Sequence, residues 1–307
     1  MSRIHEALRK AASERAAQLE GKPVLAQVGF AGDNLVEDAL DAQIPLEARK
    51  LATEVAEPVS GWETLIQKCR RVEWKIDPRF SVFVDETIFR HGAEKFRTLR
   101  SRLYQIAATR PLKRILLTSS IPEEGKTFIS SNLAQSIARQ ENRKVLLIDA
   151  DLRASRLHLA MGAPGTPGLS DYLRGEADET QVIQVGGKGN LCFIPGGNPV
   201  SNPSELLLAD KMKALLDHMT PLFDWIVVDS PPAIAVHDAS VLADLCDGVL
   251  FVVRAGSTDY EIAQRAASEF RPESLLGVVL NRVDKDDAYG EYYYGYSGEA
   301  ESRPKNS

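Results

Sequence analysis

The stretch SSIPEEGKTFISSNLA, residues 119–134, closes an apolar run and opens a helical pattern, and within it Gly125, Lys126 and Thr127 read G-K-T. A glycine at a strand-to-helix turn lets backbone amides face an anion. The lysine that follows reaches β- and γ-phosphate oxygens, and the threonine hydroxyl is placed to ligate Mg²⁺. The motif is the end of G-x-x-x-x-G-K-[ST], with Ser120 in place of the first glycine and two acids, Glu123 and Glu124, near the anion position. Two other apolar runs end in carboxylates: VLLIDADLR with Asp149 and Asp151, and WIVVDSPP with Asp229. One such acid alone reads as an ordinary helix cap. Three of them, joined to G-K-T, supply what a Mg²⁺-nucleotide and an attacking hydroxyl need: metal ligands and a proton acceptor.

Near the C-terminus, DAYGEYYYGYSGE places Tyr289, Tyr292, Tyr293, Tyr294 and Tyr296 among glycines and acids. Five of the chain's 8 tyrosines in one such stretch is more than packing explains, because glycine disfavours the elements that would bury them. A phenol with a pKa near 10 is a poor nucleophile at neutral pH, so a carboxylate base would suit it as an acceptor. The plain alternative is a sticky tail.

The elements that must position these groups are legible as RILLTSS, KVLLIDA, NLCFIP, WIVVDS, GVLFVV and LGVVLN, alternating in part with helical segments. Continuous apolar runs of this length suit parallel strands covered on both faces. The expected fold is α/β: a doubly wound, mostly parallel sheet of P-loop NTPase type with helices on both faces. In such sheets ligands sit beyond the carboxyl ends of the strands, where the motifs fall. Upstream, RFSVFVDE alternates as a strand, and Ala93, Phe96, Leu99, Leu103 and Ile106 stripe a helix over about 88–108. The expected organisation is a loosely structured arm over 1–78, with one or two short helices within 21–78, a P-loop domain over 79–283 and a flexible tyrosine-rich tail over 284–307.

Composition bounds the rest. The 307 residues are 44% hydrophobic and 26% charged, as in a soluble globular protein. A net charge of -6 argues against nucleic acid as a partner. No apolar run approaches the roughly 20 residues of a membrane span, and the charged start lacks a signal-peptide core. Ile4, Leu8 and Leu19 mark a weak helical face. Cys69, Cys192 and Cys246 have no metal-ligand spacing and read as reduced packing residues.

In the order IPEEGKT, LLIDADLR and IVVDSPP, these motifs resemble the Walker A, A′ and B set of the bacterial tyrosine kinases of capsule and exopolysaccharide synthesis. The resemblance continues through PGGNPVSNPSELL at 195–207 and into the tyrosine tail, and EKFRTLR resembles that family's E-x-x-R-x-x-R motif. It implies an ATP- and Mg²⁺-dependent tyrosine autokinase that phosphorylates a neighbour's tail in a ring-like homo-oligomer, with Glu94, Arg97 and Arg100 at the subunit contact. The residues alone would favour a solvated helix face for those three. By resemblance Glu124, Gly125, Lys126, Thr127 and Phe128 hold the nucleotide and Asn281 lies near the adenine. Asp149 and Asp151 then serve Mg²⁺ and the tyrosine proton, and Asp229 supports the metal. It also implies the cytoplasmic kinase form, recruited to the inner face of the plasma membrane by a separate membrane-embedded activator of the chain-length type and reset by a tyrosine phosphatase.

Glu123 departs from the family, in which many members have glycine. Two other readings stand beside the kinase. A positioning ATPase of the deviant-Walker class has a second lysine where this chain has Ile121, and a regulatory scaffold would bind nucleotide without useful turnover.

Overall fold

The computed structural model describes residues 61–187 and 189–283. The five tail tyrosines and the helical face of Ile4, Leu8 and Leu19 lie outside the described residues. The apolar runs fold as β2 (Arg114–Ser119), β3 (Val145–Asp149), β5 (Leu191–Ile194), β6 (Trp225–Asp229), β7 (Gly248–Arg254) and β8 (Leu275–Asn281). With β1 (Arg70–Arg71) and β4 (Gln184–Gly186) they make an eight-stranded sheet of order β1-β4-β5-β3-β6-β2-β7-β8. Every neighbouring pair is parallel except β4 with β5.

Alternate residues of each central strand enter different cores, which explains why the runs are continuously apolar. Leu116, Leu146, Ile148, Ile226, Val228 and Phe251 face one cluster, while Ile115, Leu117, Val145, Leu147, Val227 and Leu250 face the other. Each such side chain contributes about 1.5–3 kcal/mol on leaving water. The first cluster is closed by helices that include α8 (Asp210–Met219) and α9 (Asp238–Asp244), numbered with all helices in chain order. The second is closed by α2 (Arg90–Ala107) and α3 (Lys126–Ala138). The stripe expected on α2 is borne out: Ala93, Phe96 and Leu103 are buried, with Leu99 and Ile106 packed beside them.

Two expectations need correction. Residues 79–86 form turns, not a strand: neighbours Val82 and Phe83 are both buried while Val84 is exposed, which alternation forbids. Side chains of α3 hold this segment instead. Asn132 accepts from Val82 N at 2.9 Å and donates to Phe80 O at 2.9 Å, and Ser81 Oγ donates to Gln135 at 2.8 Å. The second concerns 61–78, read as part of a loose arm with one or two short helices: the short helix is present, but the segment is packed against the domain and not loose. Helix α1 (Gly61–Lys68) buries Leu65 and Ile66 in the first cluster, and β1 pairs with β4. Strand β1 is two exposed arginines and carries no apolar signal. Cys69 and Cys192 are buried and free, and burial pushes the Cys69 thiol up to about 11, as expected of packing residues.

Candidate active site

Strand β6 lies between β2 and β3, so the sheet order brings the three motif-bearing strand ends side by side. Asp229 is in register with Leu117 on β2 and with Asp149 on β3. The loop after β2 leads into α3, whose N-cap is Gly125 at φ 94°. The positive φ demands glycine, and an added Cβ at Gly125 would also displace Asn281 Nδ2, 2.1 Å away, from its bond to Glu124 O. Gly125→Ala should therefore lower nucleotide affinity at least about tenfold, since forcing an L-residue into this region costs about 1–2 kcal/mol before any clash. Isothermal titration with Mg-ADP checks it.

Lys126 and Thr127 open the helix. Lys126 Nζ lies 2.9 Å from Asp151 Oδ2, and Thr127 Oγ1 lies 2.8 Å from Asp229 Oδ2. Ser130, one helical turn on from Lys126, donates to Asp229 Oδ1 at 2.9 Å. Asp149 accepts from Ser155 Oγ at 2.8 Å and from the backbone of Leu157 and Asp151. Lys126, Asp149, Asp151 and Asp229, which the sequence spreads over a hundred residues, are thus brought together. Sequence reasoning missed Ser130 and Ser155. The i, i+4 spacing of Ser130 from Lys126 was the available signal for the first; nothing local marked the second.

The electrostatics follow from burial. Removal from water pushes the Asp149 carboxyl up to about 7, helped by the neighbouring charge of Asp229. Asp229 is also raised, by burial, against the pull of Lys126 and the hydroxyls of Thr127 and Ser130. Burial works against the charge on Lys126, but Asp229, Asp151 and Asp149 outweigh it and hold the ammonium above its ordinary value. One lysine among three acids leaves an excess of negative charge, a setting that a divalent cation relieves.

Asp229→Asn gives a test without nucleotide. Between the ordinary carboxyl value of 3.8 and its raised folded value, the folded chain keeps a proton that the unfolded chain releases. Stability supplied below that window is lost as pH rises through it. The asparagine variant should therefore melt higher than wild type at mildly alkaline pH in the absence of metal, with the gap closing as pH falls toward 3.8. Equal melting at both ends of the range would contradict it.

The remaining expected contacts have mixed fates. Glu124 is buried and its carboxylate is bonded to Ile121 N, Arg254 N and Thr258 Oγ1, which leaves its backbone for a nucleotide. The Phe128 ring packs against Phe96 and likewise has only its backbone to offer. Asn281, at the end of β8, donates to Glu124 O at 2.8 Å and so supports the loop. Glu123 sits at φ 67°, the region that glycine adopts freely. On α2, Arg97 pairs with Glu94 at 3.0 Å and with Glu86, and Arg100 donates to the carbonyl of Ser136.

The fit to phosphate and metal is good. Among the described residues the buried Ser120 hydroxyl has no partner at the start of the loop, Gly125 leaves a side-chain-free approach, and the surrounding donors to a metal are all oxygen. Among the described residues no preformed group of metal-binding side chains exists. Mg²⁺ needs none, because it is held by one or two carboxylates together with water and substrate phosphates.

A parallel sheet with a glycine-lysine-threonine helix entry and flanking strand-end aspartates defines a P-loop nucleotide-binding protein. The CobQ/CobB/MinD/ParA nucleotide binding domain family matches residues 115–301. Tyrosine-protein kinase YwqD of Bacillus subtilis is 35% identical over 208 residues, 66% of this chain and 86% of YwqD. Tyrosine-protein kinase etk of Escherichia coli is 38% identical over 196 residues, 63% of this chain but 27% of etk. The solved kinase domain of VpsO superposes with a TM-score of 0.59 at 31% identity, covering 66% of this chain and 100% of that one. The chain belongs to the bacterial tyrosine-protein kinase family.

Proposed function

We propose that the chain transfers the γ-phosphoryl group of ATP to the tyrosines Tyr289, Tyr292, Tyr293, Tyr294 and Tyr296 of a neighbouring copy, and so regulates exopolysaccharide or capsule synthesis. The observation that carries this is the convergence of Lys126, Asp149, Asp151 and Asp229 on one end of the sheet, in a chain of this family. Backbone amides of Gly125 to Phe128 bind the phosphates and Lys126 neutralises their charge. Thr127, Asp149 and Asp229 are the residues suited to hold Mg²⁺, which when bound screens the β- and γ-oxygens. Asp149 or Asp151 accepts the phenol proton as the tyrosine oxygen attacks. The positioning-ATPase reading is disfavoured by Ile121 at its lysine position. Replacing the five tail tyrosines with phenylalanine should remove most phosphotyrosine formed with Mg-ATP; an undiminished anti-phosphotyrosine signal would put the acceptor elsewhere.

The phosphorylated copies are organised as a ring-like homo-oligomer through Glu94, Arg97 and Arg100, with recruitment to the membrane face by a separate activator and reversal by a phosphatase. Among the described residues no helix is long and apolar enough to cross a membrane. Arg97 is engaged by Glu86 and Glu94 within the chain, and a neighbour's carboxylate would exchange for them in bidentate fashion. Glu94→Ala with Arg97→Ala, which leaves the Arg100 bond to α3 intact, should lower the assembly state and phosphorylation in trans. Unchanged sedimentation at micromolar concentration would return these residues to a solvated helix face.

A further inference from the structure

The geometry points to Glu124 as a positioning residue for the nucleotide: a buried latch that fixes the phosphate loop to the ends of β7 and β8 and thereby sets its affinity. Glu124 is 1% exposed, yet among the described residues none of its hydrogen-bond partners is a cation. Its two carboxylate oxygens are divided between elements. Oε2 accepts from Ile121 N at 2.9 Å, within the loop itself. Oε1 accepts from Arg254 N at 3.2 Å, the last residue of β7, and from Thr258 Oγ1 at 2.6 Å in the segment leading to α10 (Tyr260–Ala267). A buried carboxylate is costly unless its lone pairs are filled, so the three donors and the acid hold one another in place.

The same residue is fixed a second time through its backbone. Its carbonyl accepts from Asn281 Nδ2 at 2.8 Å, at the end of β8. A trans peptide sets C=O and the following N–H in opposite directions, so holding Glu124 O toward Asn281 turns the Gly125 N–H to the other side of the loop. Strand β7 pairs directly with β2, from which the loop departs, and with β8. The loop is therefore tied at its root by β2 and across its crest by β7 and β8, and its amides are set before an anion arrives. Preorganised donors bind more tightly because less ordering remains to be done on binding. An acid in a phosphate loop, which looks unfavourable in sequence, is explained by its side chain being spent on the scaffold.

The assignment rests on the reading of residues 120–127 as a nucleotide site but not on transfer to tyrosine, so the probe is Mg-ADP, titrated onto the full chain. Glu124→Gln replaces one carboxylate oxygen with an amide group facing an N–H donor. It should weaken Mg-ADP about tenfold, equivalent to about 1.4 kcal/mol. Thr258→Val, isosteric and outside the loop, should weaken it about threefold to fivefold. The double variant should lose no more than Glu124→Gln alone, because both changes open the same latch. With saturating Mg-ATP the rate of phosphate transfer in Thr258→Val should stay within about threefold of wild type, a split between affinity and turnover that general unfolding does not produce. Wild-type affinity in Glu124→Gln, or losses that multiply in the double variant, would overturn the latch. Should Glu124→Gln not fold, unchanged affinity in Thr258→Val overturns it alone. Missing phosphotyrosine in a wild type that binds Mg-ADP is a failure of the kinase reading, and the affinities still decide the latch.

Discussion

Lys126→Met is expected to abolish autophosphorylation, with a fall of at least about 10²–10³-fold in rate. The ammonium is bonded to Asp151 within the site, buried near Asp149 and Asp229 as well, and held charged by all three. Negative charge gathers on the transferred phosphoryl group and its leaving oxygen, and a fixed cation in a water-poor site stabilises that charge far more than water does. Methionine keeps most of the length and the packing but removes the charge. It also leaves Asp151 without its ion-pair partner, so folding should be checked by melting before the loss is assigned to chemistry. Phosphotyrosine at wild-type level in that variant, expressed without a wild-type copy, would overturn the role of Lys126.

Asp149→Asn and Asp151→Asn are each expected to slow transfer by about 10²–10⁴-fold, the usual contribution of a positioned base. Their structural settings differ. Asp149 is fully buried and accepts from Ser155 Oγ, Leu157 N and Asp151 N, so an asparagine amide there must face a donor. Asp151 is also buried, and is bonded to Lys126 and to Ala154 N. Asp149→Asn therefore exchanges a carboxyl raised to about 7 by burial for an amide facing a donor, and Asp151→Asn gives up the Lys126 ion pair; both variants should stay folded, which melting checks before the loss of rate is assigned to chemistry. Were both variants to transfer to a peptide tyrosine at wild-type rates, neither aspartate would be the base.

Much of this site is legible in the sequence. Periodicity marks β2, β3 and β6, and strand ends are where α/β sheets present ligating groups, so Lys126, Asp149, Asp151 and Asp229 can be named together. What sequence does not supply is the direction in which side chains point. Glu124 and Phe128 lie within the motif, yet the carboxylate turns to Arg254 and Thr258 and the ring to Phe96, contacts made by residues distant in the chain. Strand β1 is invisible because its two exposed arginines are held by backbone pairing with β4 alone. The alternation of Phe80, Val82 and Val84 misleads because side chains of α3, not a neighbouring strand, satisfy that backbone. Arg100, read as a surface contact, spends a guanidinium bond on the carbonyl of Ser136.

The most direct test of the central claim is mapping of phosphate by tandem mass spectrometry after the purified chain is incubated with Mg-ATP and an activator fragment. The account predicts phosphate on tyrosine, concentrated at Tyr289, Tyr292, Tyr293, Tyr294 and Tyr296, and none on the Lys126→Met variant. ATP consumed with no phosphate on any tyrosine would contradict it and leave the positioning ATPase in its place.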